Sequence, residues 1–282
     1  MTMKAIPQSR AAFGINTYSF TRDLHARDCI QQLANLGYRR FEVMLIPGHF
    51  WPTLDGVAGR REIESLVVHN DLEILTLNQP NLDVNLASPV PEMRKQSCTV
   101  VANAIELAVA WNAKGVVINP GKANPVFPPP MQTLTDNFRR SLEVLVPLAR
   151  RASVQLIVKN HPFSYLYRAH DLKQFFDAFG WEQISLAYDF ANGHFGGEEP
   201  QVVLDLWDHL SFLYAADTST EQFDHTEIGK GTVEFDVISK LLRGAKVCLP
   251  TILELVSEHP QSAIDASVEY LDSVRWPTAC QK

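Results

Sequence analysis

Cysteine is scarce in this chain, and what there is forms no pattern. Four occur in 282 residues, Cys29, Cys98, Cys248 and Cys280, with no CxxC pair among them. Such spacing argues against a zinc site or a disulfide framework and predicts reduced thiols, as in a cytoplasmic protein. Positive charge is not in excess either: 25 Lys and Arg stand against 32 Asp and Glu, for a net charge of −7. Apart from short pairs such as Arg39-Arg40 and Arg150-Arg151, the basic residues are dispersed. A nucleic-acid partner would need a basic face, so none is expected. No apolar run approaches ~20 residues, which excludes a membrane-spanning helix. The start, MTMKAIPQSRAAFGIN, has no apolar core segment of the kind a signal peptide needs. No GxGxxG follows the first apolar run, so the dinucleotide fingerprint of a doubly wound sheet is missing too.

What is present is an alternation. Short apolar runs end in polar residues at 12–20, 39–45, 73–79, 115–121, 154–160, 184–190, 210–217 and 251–257. Between them lie amphipathic stretches such as 92–112, 131–152 and 232–243, with apolar residues at three- and four-residue steps. Hydrophobic residues make up 46% and charged ones 20%, an ordinary globular balance. Eight strand–helix units, with no linker between them, predict one (β/α)₈ TIM barrel over residues 1–282. The Pro-rich PVFPPP at 125–130 reads as a rigid loop within it.

A barrel of this kind carries its site where the strands end. Those ends supply Asn16, Tyr18, Glu42, Asn78, Gln79, Asn119, Lys159, Asn160, His161, Asp189, Asn192, His194, Tyr214, Asp217 and Glu254. Lys159 follows Leu-Ile-Val, and Glu254 lies within Ile-Leu-Glu-Leu-Val, so both alternate with core residues. A charge placed there needs a partner, because burying it alone costs several kcal/mol. Trp51, Phe50 and Asn81 add the aromatic and amide groups of a polyol pocket, or of ordinary turns and packing.

Five segments in this order carry a resemblance: GINTYSF, GYRRFEVML, the NHP after the fifth run, YDFANGHF, and HTEIGKGTVEF followed by ILELVS. Together they resemble the xylose-isomerase-like TIM barrels, closest to the branch of sugar isomerases and epimerases. That resemblance implies a divalent metal held by Glu, Asp, His and Glu at the ends of strands five to eight. The Asp falls on Asp189 and the last Glu on Glu254. The first position is Lys159, in Lys-Asn-His-Pro, and the third is Tyr214, in Tyr-Ala-Ala-Asp. The segment Asp224–Gly231 corresponds to a loop that closes the pocket in the family, with Gly229 and Gly231 permitting its turn.

Charge arithmetic then favours loss of the metal. Lys159 with Asp189 and Glu254 sums to −1, the same as three carboxylates around a divalent cation. A divalent ion ~4 Å from an ammonium costs ~8 kcal/mol at an effective dielectric of 20. Neutralising the lysine from a pKa near ~10.4 to pH 7 costs about 5 kcal/mol instead. The expectation is therefore no cofactor, with a small sugar-like hydroxy-carbonyl as substrate and a homodimer as a possible assembly. In an enzyme, Lys159 would stabilise an enediolate oxyanion and Glu254 would move the proton. Asp189 would hold the lysine, and His161 or His194 would shuttle a second proton. Glu42, Asn78, Asn119, His194, Tyr214, Asp217 and His225 would line the substrate. Two other readings stay open: a barrel that binds without catalysis, and a metal displaced onto Glu42, His49, Asp189, His194 or Glu254.

Overall fold

The computed structural model describes residues 8–79 and 83–278; Asn81 and Cys280 lie outside these. Eight parallel strands pair in chain order and close on one another, β1 with β8. They are β1 Gly14–Asn16, β2 Arg40–Met44, β3 Glu73–Asn78, β4 Gly115–Ile118, β5 Gln155–Lys159, β6 Ile184–Asp189, β7 Leu210–Ala215 and β8 Thr251–Leu253. Each falls inside one of the eight apolar runs. Nine α-helices are described: α1 Ala26–Asn35, α2 Pro52–His69, α3 Pro91–Ala110, α4 Met131–Ala152, α5 Ala169–Phe179, α6 Phe190–Phe195, α7 Val202–Asp205, α8 Phe235–Gly244 and α9 Pro260–Ser273. The chain is a single (β/α)₈ barrel.

Alternation decides which side chains fill the barrel. Leu75, Val117, Ile157, Ala187, Phe212, Tyr214 and Ile252 form a buried cluster of their own, separate from the larger core against the helices. Ile157, Ala187 and Ile252 each precede a charged residue by two positions, so Lys159, Asp189 and Glu254 continue the same interior row. Helix α4 shows how the outer layer is held. Leu134, Phe138, Leu142, Leu145 and Ala149, at three- and four-residue steps, are all buried. Ser153, at φ 56°, ends that helix in the left-handed region.

Cys29 and Cys98 are free, but Cys248 is disulfide-bonded, which corrects the expectation of four reduced thiols. Bridging depends on Cα separation in the fold and not on spacing along the chain. No helix among the described residues is long and apolar enough to cross a membrane.

Candidate active site

Lys159 is the centre of the barrel mouth. Its ammonium hydrogen-bonds Glu254 Oε2 closely and forms an ion pair with Asp189 Oδ2 at 3.5 Å. The same nitrogen stands 4.3 Å from the ring centroid of Tyr214, on its negative face. Burial alone would lower the lysine's pKa; the charges of Glu254, Asp189 and Glu42 outweigh that and hold it above its ordinary value. The surrounding acids thus favour its charged form. Asp189 Oδ2 makes no hydrogen bond among the described residues, so the longer ion pair is its main partner.

Below the ammonium lies Glu42, fully buried. Its Oε1 accepts from Asn16 Nδ2 at 2.5 Å and Asn78 Nδ2 at 3.1 Å. Its Oε2 accepts from Thr76 Oγ1 and from the Tyr214 hydroxyl, each at 2.5 Å. Strand register accounts for part of this, since Asn16 and Thr76 are the neighbours of Glu42 in β1 and β3. Tyr214 comes from β7 and reaches across the barrel. Burial and then the charge of Glu254 push the Glu42 carboxyl above its usual range, against Lys159 and the two hydroxyl donors. Burial, with Glu42 and Glu254, keeps the Tyr214 phenol protonated.

Two residues expected to line the substrate lie deeper than the strand pattern shows. Glu42 and Tyr214 show no exposed surface, and their polar atoms are already paired with each other. They form the floor under the site. Thr76, which the sequence reading missed, belongs to that floor; its only signal is the strand register. Asn78 points the same way, donating to Glu42. Asn119 accepts from the Ser164 hydroxyl.

Above the ammonium, amides lock the strand ends. Asn160 Nδ2 donates to the Asp189 carbonyl at 3.1 Å, and Asn160 Oδ1 accepts from the Asp189 N–H at 2.8 Å. Asn192 donates through Nδ2 to the Asn160 carbonyl at 2.8 Å. Its Oδ1 faces His225 Nε2 at 3.1 Å, while His225 Nδ1 faces the Glu254 carbonyl at 3.0 Å. His225 thus closes over Glu254. His161 stands beside Phe163 and Phe223, its Nδ1 accepting from the Phe163 N–H at 3.3 Å. Burial, then Lys159 and His225, lower its pKa to about 3. Phe163, Phe195 and Phe223 pack edge to face or tilted around it, at centroid distances of 5.1–6.2 Å, an aromatic rim with no signal in the strand pattern.

Other expected site residues have different work. Asp217 is buried and accepts backbone N–H bonds from Thr218 and Val233 on Oδ1 and Gly229 on Oδ2. Three amides donate to its carboxylate, so it shapes the loop. His194 bonds Thr232 Oγ1 at 2.8 Å and lines a neighbouring cavity with Tyr188 and Glu198. His49 is fully used, between the Leu24 carbonyl at 2.6 Å and Thr17 Oγ1 at 2.9 Å.

Does this set suit the family's divalent metal? Donor atoms of Asp189, His225 and Glu254 lie within 4.8 Å of one another, close enough to share an ion. Glu42, His49 and His194, offered above as displaced ligands, do not join them. Lys159, however, holds both carboxylates of that trio, with its cation where a metal's charge would act. A metal fits only after the ammonium withdraws, so the residues present do not suit one.

A closed parallel barrel whose strand ends gather polar and charged side chains is the architecture of small-molecule enzymes and binding proteins. Residues 30–274 match the xylose isomerase-like TIM barrel family, and the chain belongs to it. Over 171 residues it is 28% identical to an uncharacterized protein, MJ1614, of Methanocaldococcus jannaschii, spanning 60% of this chain and 65% of that protein. Its fold is similar to that of a D-tagatose 3-epimerase-like protein (TM-score 0.81, 18% identity, 95% of this chain and 99% of the other). It is also similar to the 3-keto-D-glucoside 4-epimerase YcjR of E. coli (TM-score 0.75, 16% identity, 94% and 98%). A third similar structure is the IolI protein with a zinc atom bound (TM-score 0.77, 13% identity, 94% and 98%).

Proposed function

We propose that this protein is a sugar isomerase or epimerase-like enzyme that moves a proton beside a carbonyl, through an enediolate, without a divalent metal. One observation carries the reading: the buried Lys159 ammonium lies between the carboxylates of Asp189 and Glu254, the two residues that the resemblance offers as metal ligands. An enediolate oxyanion needs a positive partner already in place, and Lys159 is one. Glu254 is the most open of the three, its side chain 11% exposed against 4% for Lys159 and 1% for Asp189. It is the group a substrate reaches first, and it takes the proton. Asp189 positions the ammonium. His161, neutral and with Nδ1 occupied as an acceptor, offers an Nε2–H to a substrate oxygen. Gln79 is buried with both amide atoms unpartnered among the described residues, one donor and one acceptor, as a sugar hydroxyl requires. The epimerase names of two similar structures support the reaction class.

A second reading, a barrel that holds a sugar-like ligand without converting it, is favoured by the closed state of the ion cluster, whose cation is almost wholly buried. The experiment that separates them is exchange of solvent deuterium into a panel of keto-sugars, followed by NMR. Glu254→Gln, which keeps an oxygen for the lysine, and Lys159→Met should each reduce exchange ~10²–10³-fold or more, mainly in kcat. Undiminished exchange in both folded variants would overturn the roles assigned here. Binding of a sugar with no exchange in the parent would establish the second reading.

A further inference from the structure

The turn that leaves β4, Asn119-Pro120-Gly121-Lys122, is fixed by the loops on both sides of it. Gly121 stands at φ 112°, where a Cβ would come within 2.4 Å of Asn85 Oδ1 and 2.7 Å of the Ala87 nitrogen. That same Asn85 side chain clamps the next residue twice. Its Oδ1 accepts from the Lys122 N–H and its Nδ2 donates to the Lys122 carbonyl, each at 3.1 Å. From the other side, the Tyr165 N–H donates to the Gly121 carbonyl at 3.0 Å. The backbone is held in place, and it presents a lysine.

Lys122 is half-buried and forms no ion pair among the described residues. Burial lowers its pKa, and the charge of Asp83, an exposed residue, only partly offsets this. By contrast, Lys159 lies between two carboxylates and Lys230 stands 3.9 Å from Glu227. A cation partly withdrawn from water without a paired anion favours binding one. Its charge also reaches His161, whose pKa it lowers after burial, Lys159 and His225 have done so. Two amides stand at the same strand ends. Asn119 is 8% exposed; its Oδ1 accepts from the Ser164 hydroxyl, and its Nδ2 donates to no described residue. Gln79, just beyond the neighbouring β3, is 2% exposed with neither amide atom paired. Buried amides left unpaired call for a polar ligand or water.

Topology separates this turn from the acids. Strand order in the closed barrel puts β4 opposite β8, the strand that leads to Glu254. A molecule whose reacting carbons lie between Lys159 and Glu254 therefore meets the β4 turn with its far end. We propose that the substrate carries an anionic group, a carboxylate or a phosphate, at the end remote from its carbonyl, and that Lys122 binds this group with the Asn119 amide. The inference rests on the reading of the barrel mouth as a sugar isomerase or epimerase site and adds the charge of what that site takes.

The test uses polyols, which have no ketone or aldehyde and so bind without reacting. Calorimetry on the full chain compares sorbitol with sorbitol 6-phosphate and with gluconate. One or both anions should bind at least ~tenfold more tightly than sorbitol, through a charge-assisted contact. That advantage should shrink as salt is added. Lys122→Met should bring it close to none, and Lys122→Arg should keep most of it; thermal melts check that both variants fold. The anion that gains the advantage tells phosphate from carboxylate. No binding of either anion, equal binding of anions and sorbitol, or an advantage that survives in a folded Lys122→Met protein would each overturn the proposal. Failure of deuterium exchange into keto-sugars, with the anion advantage intact, would refute the reaction assigned above and not the anion site.

Discussion

The Lys159 ammonium and the Tyr214 ring face each other 4.3 Å apart, and the hydroxyl of that ring donates to Glu42 at 2.5 Å. Lys159 and Tyr214, which the resemblance sets at two metal-ligand positions, thus contact each other directly. The lysine supplies the charge, and the tyrosine supports it from below while linking it to a buried acid on the opposite wall.

Glu42 makes this floor sensitive to pH. Its folded pKa lies above that of the unfolded carboxyl, so folding favours the protonated form. The stability it contributes is complete below the ordinary carboxylate range and is lost as pH rises through the raised value. Glu42→Gln removes that dependence, and the Thr76 and Tyr214 hydroxyls can turn to accept from its amide. Thermal melts should show the variant gaining on the parent from pH 4 to pH 7; a constant difference would contradict it.

His161 runs the opposite way. Its folded pKa of about 3 lies below the ordinary 6.5, so folding favours the neutral ring. This contribution is present above pH 6.5 and is lost as pH falls toward 3. His161→Gln should therefore become more stable relative to the parent between pH 7 and pH 4. The pH–rate profile of the parent should show no limb assignable to an imidazolium at this position, as mutant profiles would reveal.

The protein should purify without a stoichiometric divalent metal at Asp189 and Glu254, because an ion ~4 Å from the ammonium is opposed by ~8 kcal/mol. Elemental analysis tests this: one tightly held Mn, Zn or Mg per chain, lost together with function, would refute it. Lys159→Glu sets a third carboxylate beside Asp189, Glu254 and His225. It should melt well below the parent without metal and recover when manganese is added.

Lys159 should not form a Schiff base. The ammonium is held above its ordinary pKa by the surrounding acids, so almost none is a free amine at neutral pH. Borohydride added with a keto-sugar should leave Lys159 unmodified by mass spectrometry. A trapped sugar at that residue would shift the mechanism to covalent catalysis.

The loop from Asp217 to Val233 depends on Gly231. A Cβ there would come within 2.3 Å of the Thr218 carbonyl oxygen and 2.4 Å of Asp217 Oδ1. Gly231→Ala should cost about 1–3 kcal/mol by overpacking and loosen the amides that Asp217 holds. Faster proteolytic cleavage within 218–232 and a lower Tm would show it; an unchanged melt would mean the loop adapts.

What the sequence by itself determined is local or periodic. Apolar runs ending in polar residues placed all eight strands, since a strand buried on both faces is a short property of its own residues. The alternation Ile157–Lys159 and Ile252–Glu254 was legible for the same reason, and so was the need for a partner to the lysine. Tertiary structure alone decided what lies across the barrel. The Tyr214–Glu42 bond joins β7 to β2 across the barrel. Asp217 follows β7 and His194 lies on α6 just beyond Asp189, yet one is taken by loop amides and the other turns to a cavity behind β6. Cys248 found a partner that spacing gave no reason to expect. Period two fixes which residues can face inward, but closure of the barrel and the course of its loops fix which of them meet.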